Sequence, residues 1–140
     1  MPRKKENKSD KQSTVLLVED DVFLAGMYQM KLELEGYKVL VAQDGEKGLT
    51  LAKKNKPDLI LLDIVLPKLN GFEVLKKIKK SKVLAQIPVI LLTNLSQKED
   101  VKKGLELGAS DYLIKAHYLP SEIVKKIKNQ ILKIKNTNKK

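Results

Sequence analysis

The sequence predicts an α/β fold: a doubly wound, five-stranded parallel sheet in the order 2-1-3-4-5, with five helices joined by right-handed crossovers. Three observations predict it. Short apolar runs typical of buried strands alternate with longer segments of helical periodicity. The central run, residues 59–62, is apolar throughout, as expected for a strand covered on both faces. The chain has 140 residues and no visible repeat, a size that suits one domain.

The apolar runs and their bounding residues predict five strands and five helices in alternation. Strands are expected at residues 14–18, 38–42, 59–62, 89–92 and 111–114. The first helix is expected between the first strand and Gly36. The next three are expected at about 45–54, 71–80 and about 97–107, and the last runs from its cap at Ser121 to about residue 134. A looser segment at 81–87 separates the third helix from the fourth strand. This arrangement puts helices on both faces of the sheet.

Helical spacing predicts which side chains face the core. On the first helix these are Phe23, Met27, Met30 and Leu34; on the later helices, Leu49, Ala52, Val74, Leu75, Ile78, Ile123, Ile127, Ile131 and Ile134. The helix ends carry recognisable signals. We expect Asp21, Asp44 and Ser121 as N-caps, Ser96 with Glu99 as a capping box, and Gly36 and Gly108 as stops.

The net charge of +11 is concentrated near the two ends of the chain. Residues 1–13 carry a net charge of +3 and residues 133–140 a net charge of +4. We therefore predict a basic, disordered tail at 1–13, a domain at 14–134 and a second basic tail at 135–140. The domain lacks a basic stripe interleaved with aromatic residues, so nucleic-acid binding is expected only weakly, through the tails.

Composition also bounds the location and the kind of site. The chain has no cysteine, which excludes disulfides and thiolate metal sites. No signal peptide and no apolar run long enough for a membrane span is visible, so we expect a soluble, cytoplasmic protein. The single histidine, His117, is expected in a loop or on the surface.

Polar residues follow four of the five predicted strands. Glu19 and Asp20 follow the first strand and Asp63 the third, while Thr93 and Lys115 close the fourth and fifth. The carboxyl ends of parallel strands share one edge, and strands one and three are neighbours in this order. Two carboxylates about 4 Å apart repel by roughly 4 kcal/mol at an effective dielectric near 20. A raised pKa, a lysine or a divalent cation must offset this repulsion.

These residue types suit phosphoryl transfer to a carboxylate. Oxygen ligands favour Mg²⁺, Lys115 can pair with Asp63 or with an added anion, and Thr93 offers a hydroxyl to that anion. A carboxylate nucleophile needs no general base at neutral pH. His117 is therefore not required for the chemistry.

The chain resembles the receiver domains of two-component response regulators from residue 14 to about 134. The segments that carry the resemblance are LLVEDD at 16–21, LDIVLP at 62–67, NG at 70–71, LLT at 91–93 and GASDYLIK at 108–115. The resemblance implies a flavodoxin-like three-layer sandwich. It also implies a phosphoprotein that is not an enzyme in its own right, since it assists only its own phosphorylation and hydrolysis.

The resemblance implies a role for each matching position. Asp63 is the phosphoacceptor, and Thr93 and Lys115 bind the phosphoryl oxygens. Mg²⁺ is held by Asp63, by Asp20 directly, by Glu19 through water, and by the backbone carbonyl of Val65. Tyr112 matches the aromatic switch residue, which turns inward when Thr93 moves toward the phosphoryl group.

The chain departs from the family pattern at four positions. Ala116 replaces the usual proline after Lys115, so a cis bond there would cost about 2.5–4 kcal/mol. Asn94 is larger than the usual small residue. Val65 and Leu95 are apolar where polar side chains can position the attacking water in this family. We expect Val65 and Leu95 to prolong the life of the phosphorylated form.

The resemblance also implies partners. The phosphoryl donor is a histidine kinase or a phosphotransfer protein, and a downstream protein or a second copy of the chain reads the changed surface. Because the chain ends soon after the fifth helix, we expect a single-domain regulator. Two alternatives stay open: a phosphorylation-independent interaction module with a vestigial pocket, and a phosphatase with an aspartyl-phosphate intermediate. Haloacid-dehalogenase-like phosphatases carry a second aspartate where this chain has Val65.

Overall fold

The predicted sheet is confirmed. A computed structural model describes residues 12–138, and in it five parallel strands form one sheet in the order β2-β1-β3-β4-β5. The strands are β1 (Thr14–Val18), β2 (Lys38–Ala42), β3 (Leu59–Leu62), β4 (Val89–Thr93) and β5 (Asp111–Ile114). The helices are α1 (Val22–Leu34), α2 (Gly45–Asn55), α3 (Gly71–Lys80), α4 (Lys98–Glu106) and α5 (Pro120–Asn138).

Helices cover both faces of the sheet, which gives three layers. On one face, α1 and α5 bury Leu32 and Ile127 against residues of β1, β3, β4 and β5. On the other face, α2 and α3 bury Ala52 and Ile78 against the sheet, and Gly104 of α4 is buried beside β4 and β5. Because β3 lies between these two layers, its four side chains are fully buried. The predicted core faces of α3 and α5 are confirmed, except that Ile134 is only half-buried.

The predicted core face of α1 is confirmed only at Met27, which is half-buried and packs against the core, and it is wrong at the other three positions. Phe23 is 88% exposed, Leu34 is 79% exposed and Met30 is also exposed, whereas Ala25, Tyr28 and Leu32 are buried. Periodicity does not choose between these faces because α1 is apolar on more than one side. The face that packs on the core carries the small residue Ala25 together with Tyr28 and Leu32.

Most of the predicted helix ends are confirmed. The Asp21 carboxylate accepts hydrogen bonds from the Phe23 and Leu24 N–H groups, and the Asp44 carboxylate accepts one from Lys47 N–H. Gly36 (φ 97°) and Gly108 (φ 108°) follow α1 and α4 in the left-handed conformation that glycine favours.

Two predicted caps are wrong. Helix α4 begins one residue later than expected, so Gln97 and not Ser96 occupies the N-cap, without a side-chain hydrogen bond. Helix α5 begins at Pro120, whose ring pre-sets a helical φ at the first position, and Ser121 therefore lies inside the first turn. There the Glu122 carboxylate accepts a hydrogen bond from Leu119 N–H.

The described chain extends slightly beyond the expected domain. Ser13 is buried and its carbonyl accepts a hydrogen bond from Lys38 N–H, while α5 continues to Asn138. Residues 1–11 of the predicted N-terminal tail lie outside the described residues, so the tails stay a prediction. Across residues 12–138, no helix is both long enough and apolar enough to cross a membrane.

Candidate functional site

Three carboxylates converge at the carboxyl edge of the sheet, as predicted. Val18 and Leu62 are paired in register on β1 and β3, so the residues that follow them emerge side by side. One carboxylate oxygen each from Glu19, Asp20 and Asp63 lies within 4.8 Å of the others. Glu19 and Asp63 are buried, while Asp20 is exposed. The site is therefore accessible to solvent at Asp20, whereas Glu19 and Asp63 are covered by the protein.

Lys115 directly follows β5, the last strand in the sheet order, and its side chain extends to this cluster. Its Nζ lies 2.7 Å from Glu19 Oε1 and 2.8 Å from Asp63 Oδ2. The predicted pairing of Lys115 with Asp63 is thus present, and Glu19 shares the same ammonium group. The Lys115–Ala116 peptide bond is trans, as is every peptide bond of the described residues. His117 is exposed, as expected for a residue outside the site.

Burial and charge act against each other in this cluster. Burial raises the pKa of Glu19, and hydrogen bonds from Lys115 and from Asp21 N–H oppose that rise. Burial alone lowers the pKa of Lys115, but its hydrogen bonds to Asp63 and Glu19 outweigh burial and leave that pKa raised. Lys115 is therefore charged at neutral pH, and Glu19 is a weakened acid.

The donor set fits a hard divalent cation. With all side chains ionised, Glu19, Asp20, Asp63 and Lys115 carry a net charge of −2 in a partly buried space. One divalent cation would neutralise that charge. The candidate ligands are oxygen atoms only, the type that Mg²⁺ and Mn²⁺ prefer.

The loop after β3 is held tightly against Asp63. Asp63 Oδ1 accepts a hydrogen bond of 2.7 Å from Ile64 N–H, and the Gly71 N–H donates to the Ile64 carbonyl. A Cβ atom at Gly71 would overlap the Asp63 carbonyl oxygen, so the start of α3 requires glycine. In the sequence, Asn70-Gly71 stood out only as one of the segments that resemble the family, and that resemblance does not reveal this close approach.

Thr93 and Tyr112 lie on the neighbouring strands. Thr93 is fully buried at the end of β4, and its Oγ1 accepts a hydrogen bond from Leu95 N–H. The Tyr112 hydroxyl donates to the Leu95 carbonyl at 2.7 Å, and its ring lies against Gly104 of α4. Burial, followed by the charges of Asp100 and Asp63, raises the pKa of Tyr112 to about 12. Both side chains thus contact the loop between β4 and α4.

Three further positions named from the sequence, Val65, Asn94 and Leu95, differ in exposure. The side chain of Val65 is exposed, and its backbone carbonyl stays a predicted metal ligand. Asn94 is exposed, whereas Leu95 is half-buried and packs on the core. The individual roles of Glu19, Asp20, Asp63, Thr93 and Lys115 likewise stay predictions, although the structure brings the carboxylates and the lysine together.

Comparison with known proteins gives the same picture. The model of the response regulator receiver domain family matches residues 15–128. The chain is 41% identical over 114 residues to the alkaline phosphatase synthesis transcriptional regulatory protein PhoP of Bacillus subtilis, covering 81% of this chain and 46% of PhoP. The chain thus spans about half the length of the curated relatives it matches.

Solved structures agree on the fold and on the metal. A crystal structure of a response regulator from Chloroflexus aurantiacus is 34% identical, with a TM-score of 0.80, over 87% of this chain and 99% of that one. The receiver domain of a Pseudomonas aeruginosa sensor histidine kinase, with a magnesium ion in its active-site cleft, is 28% identical with a TM-score of 0.78, over 86% of this chain and 98% of that one. The strand order and the acidic cluster agree with a family match over most of its length, and this chain belongs to the response regulator receiver domain family.

Proposed function

We propose that Asp63 is the phosphoacceptor of this receiver domain, with a histidine kinase or a phosphotransfer protein as donor. The observation that carries the proposal is the Lys115 ammonium bridging Glu19 and Asp63, with Asp20 beside them. A buried carboxylate held by a lysine, next to two further carboxylates, is suited to receive a phosphoryl group with the help of a metal.

The transfer needs few protein groups. An oxygen of the Asp63 carboxylate attacks phosphorus, the bond from phosphorus to the donor's imidazole nitrogen breaks, and that nitrogen keeps the electron pair. Glu19, Asp20 and Asp63 would hold Mg²⁺, which offsets the negative charge that builds up on the phosphoryl oxygens. Lys115 adds a second positive charge and is already 2.8 Å from Asp63. No general base is required because a carboxylate nucleophile has no proton to lose.

The readout of phosphorylation would run through Thr93 and Tyr112. Thr93 Oγ1 now faces Leu95 N–H, and the Tyr112 hydroxyl bonds to the carbonyl of that same residue. If Thr93 turns toward the phosphoryl group, the loop that carries Leu95 must adjust, and Tyr112 is tied to that loop. Helix α4 rests on the Tyr112 ring at Gly104, so this movement would reach the surface.

Acetyl phosphate tests the phosphoacceptor directly. We expect the intact mass of the parent protein to rise by one phosphate with acetyl phosphate and Mg²⁺, and not with acetyl phosphate and EDTA. Asp63→Asn should stay unmodified. Asp58→Asn, at the opposite edge of the sheet, is the matched control and should be modified like the parent. Equal modification of Asp63→Asn and the parent would contradict the assignment, and a parent that takes up no phosphate would favour the interaction-module alternative.

The lifetime of the phosphorylated form is a separate proposal. Val65 is 61% exposed beside the site, and Leu95 is half-buried, so neither offers a polar group to an attacking water. We expect slow loss of phosphate from the parent and faster loss from Val65→Asn, both followed by intact mass after removal of acetyl phosphate. Loss as fast as that of a short-lived chemotaxis-type receiver would contradict it.

The mode of output is also proposed. The domain would act in the cytoplasm, on a downstream protein or through a phosphorylation-dependent homodimer. Multi-angle light scattering of the parent and of Asp63→Asn, each with acetyl phosphate and Mg²⁺, tests the homodimer. A mass increase in the parent alone supports it, and equal masses in both proteins favour a different downstream protein.

A further inference from the structure

The structure gathers exposed lysines at the edge of the sheet opposite the acidic site. Parallel strands run toward the site and the helices run back, so every helix ends at the far edge. Lysines lie in the last turns of α2 and α3, and more follow directly. Six of them are exposed and form what we call the α2–α3 lysine patch: Lys53, Lys54, Lys56, Lys77, Lys80 and Lys82.

Topology makes this group a single surface. Helices α2 and α3 pack side by side on one face of the sheet. The chain passes from α2 into β3 and from α3 into β4, and β3 and β4 are paired neighbours. The ends of the two helices therefore meet at one place, although their lysines are about 20 residues apart in sequence.

These lysines are not matched by acids of the described residues. Within 12–138, no carboxylate forms a salt bridge with any of the six. The two other lysines of this region are engaged, since Lys76 pairs with Glu73 and Lys79 donates to the Ala85 carbonyl. The neighbouring acid Asp58 accepts a hydrogen bond from Thr14 N–H. The six ammonium groups are thus exposed and without a salt-bridge partner among the described residues, with the Asp58 carboxylate nearby in sequence.

Helix-end electrostatics account for only part of the patch. The negative end of a helix dipole is equivalent to only about half an elementary charge, and its effect falls off within the last turn. Here five lysines fall within residues 76–82, and Lys56 ends α2 with φ 46°, a conformation that favours glycine.

We propose that the α2–α3 lysine patch binds the phosphate backbone of duplex DNA without sequence preference. Point-charge ammonium groups match phosphates, and release of condensed counterions drives such binding. Val83 is the only exposed large apolar residue within 76–87, so the patch offers little to insert into a lipid surface. The sequence predicted only weak binding, through the tails. The residues between the tails carry a net charge of only +4, and this sum does not show that acids and lysines lie at opposite edges of the sheet. This binding does not depend on phosphorylation of Asp63.

Fluorescence anisotropy of the full chain on a labelled 20-base-pair duplex tests the proposal. We expect a Kd of about 10⁻⁴ to 10⁻⁶ M at physiological salt, and tighter binding at lower salt. In the triple variant Lys77→Gln/Lys80→Gln/Lys82→Gln, the plot of log affinity against log salt should become less steep by about 2.7. This value corresponds to three lost phosphate contacts at about 0.9 each. The corresponding triple arginine variant should bind like the parent.

Two control triples carry the same loss of net charge. Lys47→Gln/Lys102→Gln/Lys125→Gln changes exposed lysines elsewhere on the domain, and Lys4→Gln/Lys5→Gln/Lys8→Gln changes the N-terminal segment. Both should keep the parent slope if the patch is the site. Equal losses in all triples, loss only in the N-terminal triple, or binding to phosphatidylserine vesicles without binding to the duplex would overturn the proposal. Circular dichroism and acetyl phosphate labelling verify that each variant is folded.

Discussion

Replacing Lys115 by methionine tests whether the ion cluster is balanced as the distances indicate. The change removes the ammonium group and keeps the apolar stem of the side chain. Glu19, Asp63 and Asp20 would then face one another with no cation among them. Two of the three are buried, so solvent screens their repulsion poorly.

The magnitude follows from the geometry. At 2.7 and 2.8 Å and an effective dielectric of about 20, each contact of Lys115 contributes roughly 6 kcal/mol of gross Coulomb attraction. Desolvation cancels much of this attraction, and removing one partner of a buried ion pair typically costs about 3–5 kcal/mol. We therefore expect Lys115→Met to lower the free energy of unfolding by about 3–5 kcal/mol at pH 7 without Mg²⁺. Added Mg²⁺ should restore part of this loss, since it supplies positive charge to the same carboxylates.

Urea unfolding measures the effect, with Lys128→Met as matched control. Lys128 pairs with Glu35 at 3.1 Å, but both side chains are nearly half exposed. Such a pair contributes about 0.2–1 kcal/mol. The same loss of stability in both variants would refute the reasoning.

The pH dependence of Lys115→Met supplies a second check. Lys115 lowers the pKa of Glu19, so its removal raises that pKa further. A carboxyl group with a raised pKa in the folded state favours folding at low pH, and this contribution is lost as pH rises through the raised value. The variant should therefore regain stability relative to the parent as pH falls from 7 toward about 5.

Three further predictions follow from the same geometry. Asp20→Asn removes one of three crowded carboxylates, so without Mg²⁺ it should raise the free energy of unfolding by about 1 kcal/mol in urea titrations. The same change should weaken the binding of Mg²⁺, as measured by calorimetry. A destabilised variant would contradict the charge argument. Gly71→Ala places a Cβ against the Asp63 carbonyl, so it should destabilise the protein by about 2 kcal/mol or more and slow labelling by acetyl phosphate. The control is Gly26→Ala, where the new Cβ meets open space, and it should stabilise the protein by about 0.5–1 kcal/mol. Because the pKa of Tyr112 is raised to about 12 from 10.0, its contribution to stability is present below pH 10 and lost as pH rises toward 12. In urea unfolding at increasing pH, the free energy of unfolding should fall less steeply for Tyr112→Phe than for the parent. Parallel decreases would show that the half-buried Tyr112 hydroxyl does not cause the effect.

Local signals in the sequence predicted most of the fold because they report local physics. Asp21 and Asp44 cap their helices as expected, since a cap needs only a short side chain and the two or three N–H groups that follow it. The strand that precedes Asp63 was identifiable because a strand buried on both faces is apolar at every position.

The predictions that failed depended on packing. Phe23 and Leu34 follow helical periodicity as well as Tyr28 and Leu32 do, and only the approach of α1 to the sheet selects the second pair. Ser96 has the right side chain for a cap, yet α4 begins one residue later, with Gln97 at the N-cap and no side-chain hydrogen bond. Such choices are made by neighbouring elements that the local sequence does not contain.

The amino-acid order alone determined the alternation of strands and helices, and with it the edge at which Glu19, Asp63 and Lys115 emerge. That inference needs only burial, helical period and the common direction of parallel strands. Tertiary structure decided that one ammonium group serves both buried carboxylates, and that lysines near residues 55 and 80 share one surface. Both depend on distances between segments far apart in the chain, and those distances are fixed only when the helices pack on the sheet.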